Sequence, residues 1–144
     1  MEMTERIARV HLLFEKYGIQ AGDKIALIGR NGINWCVTYI ATITYGAVIV
    51  PILQDFNPAD VENIVTHSES RILFAGSTHW QTLDTDRMSG LEAAVIFDNF
   101  KLAYEKEGAT ALASIMESWE ADFAAKYPEG FKVEDINYKD VPNE

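Results

Sequence analysis

The stretch ALIGRNGINW, residues 26–35, joins a short apolar run to a turn with two glycines and then to a second apolar segment. Its first part, IALIG, is nearly all apolar, which is typical of a strand covered on both faces of a parallel sheet. Similar runs return as AVIVPI at residues 47–52, RILFAG at 71–76 and AAVIFD at 93–98. The sequence therefore predicts four buried strands.

Helical patterns separate these runs. Apolar residues recur at intervals of three and four over residues 4–17, and Gly18 follows where a helix would be capped. Residues 57–70 begin with an Asn-Pro pair, which suits an N-cap and a first helical position. Strands that alternate with helices favour right-handed crossovers. We therefore predict an α/β fold, with a mostly parallel sheet of about four strands and helices on both faces.

The segment INWCVTYIATITYG, residues 33–46, fits two structures. Its β-branched residues and the alternation of Trp35, Val37 and Tyr39 favour a strand. Its length, and a second apolar pattern at helical spacing that ends at Gly46, favour a helix. We predict a buried helix.

A last helix is predicted at residues 110–127, with an apolar stripe that belongs to the core. The stripe consists of Leu112, Ile115, Met116, Trp119, Phe123 and Tyr127. Residues 128–144 have a weak pattern and are interpreted as a linker or a strand.

The composition excludes several classes of function. The chain has 12 Lys and Arg against 22 Asp and Glu, a net charge of −10, which disfavours nucleic acid as a partner. Its single cysteine, Cys36, rules out an internal disulfide and a thiolate-rich metal site, and we expect a buried thiol there. No apolar run reaches the length of a membrane span, and the N-terminus lacks a signal-peptide pattern, so we expect a cytoplasmic protein.

The GRNG turn is the first candidate for ligand contact. It matches neither the dinucleotide pattern G-x-G-x-x-G nor the P-loop pattern. Arg30 and Asn31 remain candidates for an anion contact, because a helix N-terminus attracts anions. Asp98 ends a predicted strand at the edge where open α/β sheets bind ligands, and is a third candidate. The alternative for all three is a purely structural role in a turn.

Catalytic and metal-binding patterns are weaker. His11, His67 and His79 are scattered without the i, i+4 spacing of a helical metal site, so we expect surface or helix-end positions and no metal. The sequence has no G-x-S-x-G elbow and no carboxylate pair with a reason to lie close together. The residues alone therefore predict no catalytic group.

Several short pieces occur in a fixed order between Gly18 and Phe74. They are Gly22-Asp23-Lys24, Asn31 with Trp35, Gly46-Ala47-Val48, Val50-Pro51, the acidic helix from Asn57, and His67-Ser68-Glu69. In this order and spacing they resemble the N-terminal region of the acyl-adenylate-forming, or AMP-binding, enzymes. The Pro-Ile and His-Ser-Glu variants are similar to those of the long-chain fatty acyl-CoA synthetases. Asn34 departs from the family, which often has Glu before the Trp.

The resemblance implies a parent ligase that uses ATP and Mg to convert a fatty acid to an acyl-adenylate and then passes the acyl group to coenzyme A. It also implies peripheral membrane association for that parent. The family's phosphate loop, Tyr-Thr-Ser-Gly-Thr-Thr-Gly followed by Lys, has no counterpart here, and residues 136–144 resemble its lead-in. Residues 1–144 are therefore expected to be one N-terminal subdomain, inactive alone and without its own cofactor, whose partner is the rest of the ligase.

Two other interpretations stay open. A stand-alone, flavodoxin-like binding or regulatory module would need a preformed pocket around residues 29–31, 76–78 and 98–100. An interaction protein would need an exposed apolar patch. A subdomain without its neighbour would expose such a patch too, so homo-oligomers are expected under either hypothesis.

Overall fold

The computed structural model describes residues 3–109, 111–132 and 135. The helices and strands, in chain order, are α1 Met3–Tyr17, β1 Lys24–Ile28, α2 Ile33–Tyr45, β2 Val48–Ile52, α3 Pro58–Ser68, β3 Ile72–Ala75, α4 Ser77–Trp80, a short 3-10 helix at Thr85–Arg87, β4 Ala93–Ile96, β5 Lys101–Glu105 and α5 Leu112–Lys126.

The strands form one sheet in the order β2-β1-β3-β4-β5. The first four are parallel, with Ile25 opposite both Ile49 and Ile72, and the four predicted strands are confirmed. The fifth strand, β5, is antiparallel to β4 and was not predicted. It has charged residues at both ends and is only half-buried, so it lacks the apolar run that identifies the other strands. The turn before it also lacks the usual signal, because the residue at positive φ is Phe100, at 52°, and not a glycine.

Segment 33–46 is a helix, as predicted. Thr38 and Thr42 are fully buried, and each hydroxyl donates to the carbonyl oxygen four residues earlier, at 2.9 and 2.7 Å. The helix therefore satisfies the polar groups of the threonines internally. It ends at Gly46, whose φ of 103° places it in the left-handed region.

Both faces of the sheet are covered. Along β1, Ile25 and Leu27 pack with α1, α2 and α5, whereas Ala26 and Ile28 pack with α3 and the segment before β4. This alternation follows from the two-residue period of a strand and confirms the prediction of helices on both faces. Among the described residues, no helix is long and apolar enough to cross a membrane.

Some residue predictions were wrong. His11 is buried, with 7% exposure, and its Nε2 lies 2.8 Å from Oγ1 of Thr44, because the amphipathic face of α1 that contains it packs on α2. Cys36 is only half-buried, because it lies beside the buried face of α2 rather than on it.

The apolar stripe of α5 belongs to the core, as predicted. Leu112 and Phe123 are buried, while the other four residues of the stripe are half-buried and pack against the core. Thr110 and most of the predicted linker lie outside the described residues.

Arg71 joins the ends of the strands at the edge where they begin, which we call the amino edge. Its Nε and NH2 groups donate to both carboxylate oxygens of Glu92 at 3.0 Å, and NH1 donates to Asp23 at 2.8 Å and to the carbonyl of Gly18 at 3.2 Å. The hydroxyl of Tyr17 donates to Glu92 at 2.8 Å. We call this group the Arg71 network.

Burial and charge shift the pKa values of this network. Burial by itself would raise the pKa of Glu92, but the hydrogen bonds from Arg71 and Tyr17 outweigh it and lower the pKa. Burial, and then the hydrogen bond to Glu92, raise the pKa of Tyr17. The hydrogen bonds to Glu92 and Asp23 raise the pKa of Arg71, although burial opposes them. The network therefore stabilises the charged forms of its acid and its base.

Candidate functional site

The candidate site lies where the parallel strands end, which we call the carboxyl edge. The chain leaves β1 toward β2 on one side and later returns to β3 on the other. In open α/β sheets, ligands bind at such a reversal, in the crevice beyond the strand ends. The glycine turn after β1 and the loops after β3 and β4 surround this crevice.

The centre of the crevice is closed by an aromatic ring. A Cβ atom on Gly29 would lie 2.4 Å from Cζ of Phe97 and 3.1 Å from the backbone nitrogen of Gly76. Gly29 also has a φ of 154°, which other residues rarely adopt. The backbone nitrogen of Gly76 donates to the carbonyl of Ile28 at 2.9 Å. The first glycine of GRNG therefore allows two loops and a phenyl ring to pack closely.

A polar cavity of about 400 Å³ lies beside this contact, and we call it the Arg30 cavity. Arg30 and Asp98 both line it, so the structure brings two of the three candidates together. The carboxylate of Asp98 accepts hydrogen bonds of 3.3 Å from the backbone nitrogen and from the hydroxyl of Ser77. The cavity therefore contains one cation and one anion, whose charges offset each other.

His79, which was not among the site residues predicted from the sequence, also lines the Arg30 cavity. Its Nε2 lies 3.1 Å from the carbonyl oxygen of Gln54 and connects α4 to the loop after β2. The hydroxyl of Ser77 donates to Asp98 and not to His79. Ser77 and His79 therefore do not form the hydrogen-bonded nucleophile and base of a catalytic site. The available signal was the position of His79, three residues after a glycine that ends a buried strand.

Asn31, the third candidate, lines a separate groove of about 500 Å³ between α2 and the end of β2. The rings of Trp35 and Tyr39 stack along it, with centroids 5.3 Å apart. The same two elements and the loop after β2 expose large apolar side chains. We call these residues the β2 surface: Ile33 with 63% exposure, Ile40 with 36%, Val48 with 43%, Leu53 with 67% and Phe56 with 40%.

Asn34 connects three elements at this edge. Its Nδ2 donates to the carbonyl oxygens of Phe97 at 2.8 Å and Asp98 at 3.3 Å, and its Oδ1 accepts from Arg6 at 3.0 Å. A glutamate carboxylate at this position would have no N–H to donate to the two carbonyls. The amide therefore joins α1, α2 and the end of β4 in a way that the glutamate common in the resembled family cannot.

The described residues contain no group of three or more His, Cys, Asp or Glu side chains that could hold a metal ion. At the carboxyl edge, Asp98 has Ser77 and Arg30 for neighbours rather than further acids. Neither cavity offers the three or more acceptor side chains with which proteins commonly hold such an ion.

Comparison with known proteins identifies the family that this sequence matches. The profile of the family described as AMP-binding enzyme matches residues 1–136. A long-chain-fatty-acid–CoA ligase of Mycobacterium tuberculosis is 28% identical over 105 residues, which are 73% of this chain and 20% of that protein. A medium-chain fatty-acid–CoA ligase of Escherichia coli is 29% identical over 75 residues, which are 52% of this chain and 13% of that protein.

Solved structures agree on the fold. A long-chain-fatty-acid-CoA ligase from Archaeoglobus fulgidus superimposes with a TM-score of 0.62 at 20% identity, and the match covers 81% of this chain and 22% of that protein. The chain spans between 13% and 20% of the lengths of the curated relatives that it matches. The fold of this chain is thus found as one part of much longer enzymes.

Proposed function

This chain belongs to the family of AMP-binding enzymes, and from that premise we propose that it is a scaffold portion of an ATP-dependent acyl-CoA ligase and is inactive by itself. In the whole ligase, a carboxylic acid is activated as an acyl-adenylate and the acyl group then passes to coenzyme A. The relatives described above are fatty-acid–CoA ligases, which supports this reaction class.

The closed centre of the carboxyl edge is the observation that carries the scaffold proposal. ATP brings several negative charges, and a phosphate site needs free backbone amides and an excess of positive charge. Here the ring of Phe97 fills the position next to Gly29, and Asp98 offsets Arg30 in the adjacent cavity. The residues at the carboxyl edge therefore do not fit ATP, and we assign no step of the reaction to them.

The substrate proposed for the whole ligase is a long-chain fatty acid. The variants Pro51-Ile52 and His67-Ser68-Glu69, and the mycobacterial relatives named as long-chain ligases, support this choice. ATP, Mg and coenzyme A are the cofactors of that longer protein. We propose a cytoplasmic enzyme whose remaining chain covers the β2 surface, because large apolar side chains on α2, on β2 and in the loop after β2 are exposed to water.

A melting experiment tests the scaffold proposal. We expect the same melting temperature with and without millimolar Mg-ATP and with a fatty acyl-adenylate analogue, and no pyrophosphate release from ATP and a fatty acid. A ligand at a hundredfold excess over its Kd would stabilise the folded chain by about 2.7 kcal/mol, which melting detects easily. A shift with ATP would refute the proposal.

Matched variants then locate any site that such a shift reveals. Arg30→Gln should abolish the shift if the Arg30 cavity holds the phosphates. Arg87→Gln removes the same charge from an arginine that has 69% side-chain exposure and does not line that cavity, and it should leave the shift unchanged. A shift that both variants retain would place the nucleotide elsewhere.

The flavodoxin-like module is the second candidate, and the strand order favours it. The order β2-β1-β3-β4-β5 is that of doubly wound folds that bind a flavin nucleotide at the point between β1 and β3. In this chain that point is occupied by Phe97, and β5 runs antiparallel. Flavin mononucleotide in the same melting assay separates the two candidates, because only the module should be stabilised by it.

A further inference from the structure

A second polar cavity, of about 290 Å³, lies between α1, α5, the start of α2 and the turn before β5. Arg6 and Arg9 extend from one face of α1 into its lining, because residues three apart lie on the same side of a helix. Asn99 adds an amide, and Phe100 and Trp119 add aromatic rings. We call it the arginine cavity.

The charge of this lining is unusual for the molecule. The chain has a net charge of −10, and four other cavities on its described surface each include a carboxylate: Asp55, Asp98, Glu15, and Glu129 with Asp135. The arginine cavity has two guanidinium groups, and none of the described residues that line it has a carboxylate. It is therefore suited to an anion that comes from outside the chain.

The hydrogen bonds of the two arginines leave capacity for such an anion. Arg6 donates through NH1 to the amide oxygen of Asn34, which is neutral. NH1 of Arg9 lies 3.6 Å from Glu120, whose side chain is 85% exposed, so this ion pair is weak. Nε of Arg9 is buried and has no hydrogen-bond partner among the described residues. The guanidinium group of Arg9 also lies over the ring of Phe123, with its central carbon 4.6 Å from the ring centroid. The structure therefore supplies a ring contact to Arg9 and no acceptor for this donor among the residues that it describes.

The two aromatic rings that line the cavity indicate which apolar group the ligand has beside its anionic group. Phe100 and Trp119 pack edge to face, with centroids 6.2 Å apart, and the indole nitrogen of Trp119 donates to the carbonyl of Arg9 at 2.7 Å. That bond holds the indole ring in place and occupies its N–H group. The two rings can then pack against a flat apolar body, while a planar carboxylate matches the fork geometry of guanidinium groups.

We propose that the arginine cavity binds a small carboxylate with a single flat ring or a comparably short apolar body. Arg6 and Arg9 pair with the carboxylate, and Phe100 and Trp119 contact the body. This site is separate from the two cavities of the carboxyl edge, and it does not depend on where the nucleotide of the ligase binds.

Benzoate is the probe for this proposal, and benzamide is its neutral control of the same shape. We expect benzoate to shift the indole N–H resonance of Trp119 in the ¹⁵N-labelled 144-residue chain, in a saturable way, and benzamide to give no shift. The resonance is assigned by its loss in Trp119→Phe. An equal response to benzamide, or no saturable shift with benzoate, would refute the proposal before either arginine is changed.

Variants and a second anion complete the test. Arg6→Gln and Arg9→Gln should each weaken benzoate binding by about tenfold or more, since each loses a charge-assisted hydrogen bond. Arg87→Gln, with the same loss of charge at an exposed position, should bind benzoate as the parent chain does. If Arg9→Gln lowers the melting temperature strongly, Arg6→Gln carries the comparison. Equal affinity for inorganic phosphate would overturn the assignment to an organic carboxylate.

Discussion

The two edges of the sheet are held together by different interactions. At the amino edge, the guanidinium of Arg71 links Asp23 and Glu92 through charge-assisted hydrogen bonds between 2.8 and 3.0 Å. At the carboxyl edge, a steric contact between Gly29 and Phe97 takes the central position, and the polar groups lie in open cavities on either side. The amino edge therefore depends on charge and pH, while the carboxyl edge depends on shape.

Gly29→Ala should have the largest effect, because it breaks the shape-dependent edge at its centre. A methyl group would overlap the ring of Phe97 on a backbone at φ 154°, so we expect a loss of about 3 kcal/mol in the free energy of unfolding. Urea denaturation measures it. The matched control is Gly32→Ala in the same turn, where φ is −172° and nothing lies within 4 Å of the added atom. Equal losses in the two variants would contradict the steric explanation.

Arg71→Met should have the next largest effect, because it breaks the charge-dependent edge. Two carboxylates, Glu92 and Asp23, lose their cation while about a quarter of each side chain stays in contact with water. We expect a loss of about 2 kcal/mol in urea, less than for a fully buried pair. Arg87→Met, at an exposed position, serves as the control and should lose less than about 0.5 kcal/mol. A loss at Arg71 no greater than at Arg87 would show that the network does not stabilise the chain.

The contribution of Glu92 to the stability of the chain should depend on pH, which tests the role of charge at the amino edge. Its pKa is lowered in the folded chain, so its contribution to stability is complete above the pKa of the unfolded chain and is lost as the pH falls through the folded pKa. The stability difference between the parent chain and Glu92→Gln should therefore shrink from about pH 6 to about pH 3. A difference that stays constant over this range would show that charge is not what Glu92 contributes.

Leu53→Asp should have the smallest effect on stability. Leu53 follows β2 at the carboxyl edge and is 67% exposed, so we expect a change within about 0.5 kcal/mol in the free energy of unfolding. We expect the same change to reduce self-association in sedimentation velocity, because it places a charge in the β2 surface. Leu27→Asp, in the fully buried part of β1, is the contrasting control and should unfold the chain. Unfolding by Leu53→Asp would mean that this surface belongs to the core.

The parallel part of the fold was predictable because β1, β3 and β4 are almost entirely buried, and because β2, although partly exposed, has an equally apolar sequence. Such strands are continuous apolar runs. The segment that forms α2 is also apolar, so its apolar character alone did not separate helix from strand. The prediction of a helix depended on the length of the segment, which outweighed its β-branched residues. The antiparallel strand β5 was missed since Lys101, Tyr104 and Glu105 give an edge strand no apolar run. The helix α4 has only 4 residues, too few for a helical period to show.

The candidate site was predictable only in part. The attraction of anions to a helix N-terminus pointed to Arg30, and the rule that ligands bind at strand carboxyl ends pointed to Asp98. The two residues share a cavity in the structure, and ligand binding by either one stays a prediction. Phe97 could not be identified as the closing residue, because its contact with Gly29 joins positions 68 residues apart in the chain. The Arg71 network had a signal that went unused: Asp23, Arg71 and Glu92 each immediately precede a strand.

The proline in β2 affects how readily the chain forms fibrils in a crowded solution. β2 is the first strand in the sheet order, and its Pro51, opposite Leu27, has no N–H group. A fibril grows when extended segments add to a sheet edge through an unbroken ladder of backbone hydrogen bonds. Pro51 interrupts that ladder within a strand of five residues. The β2 surface can therefore attract apolar side chains of another protein segment while resisting the growth of amyloid from its edge.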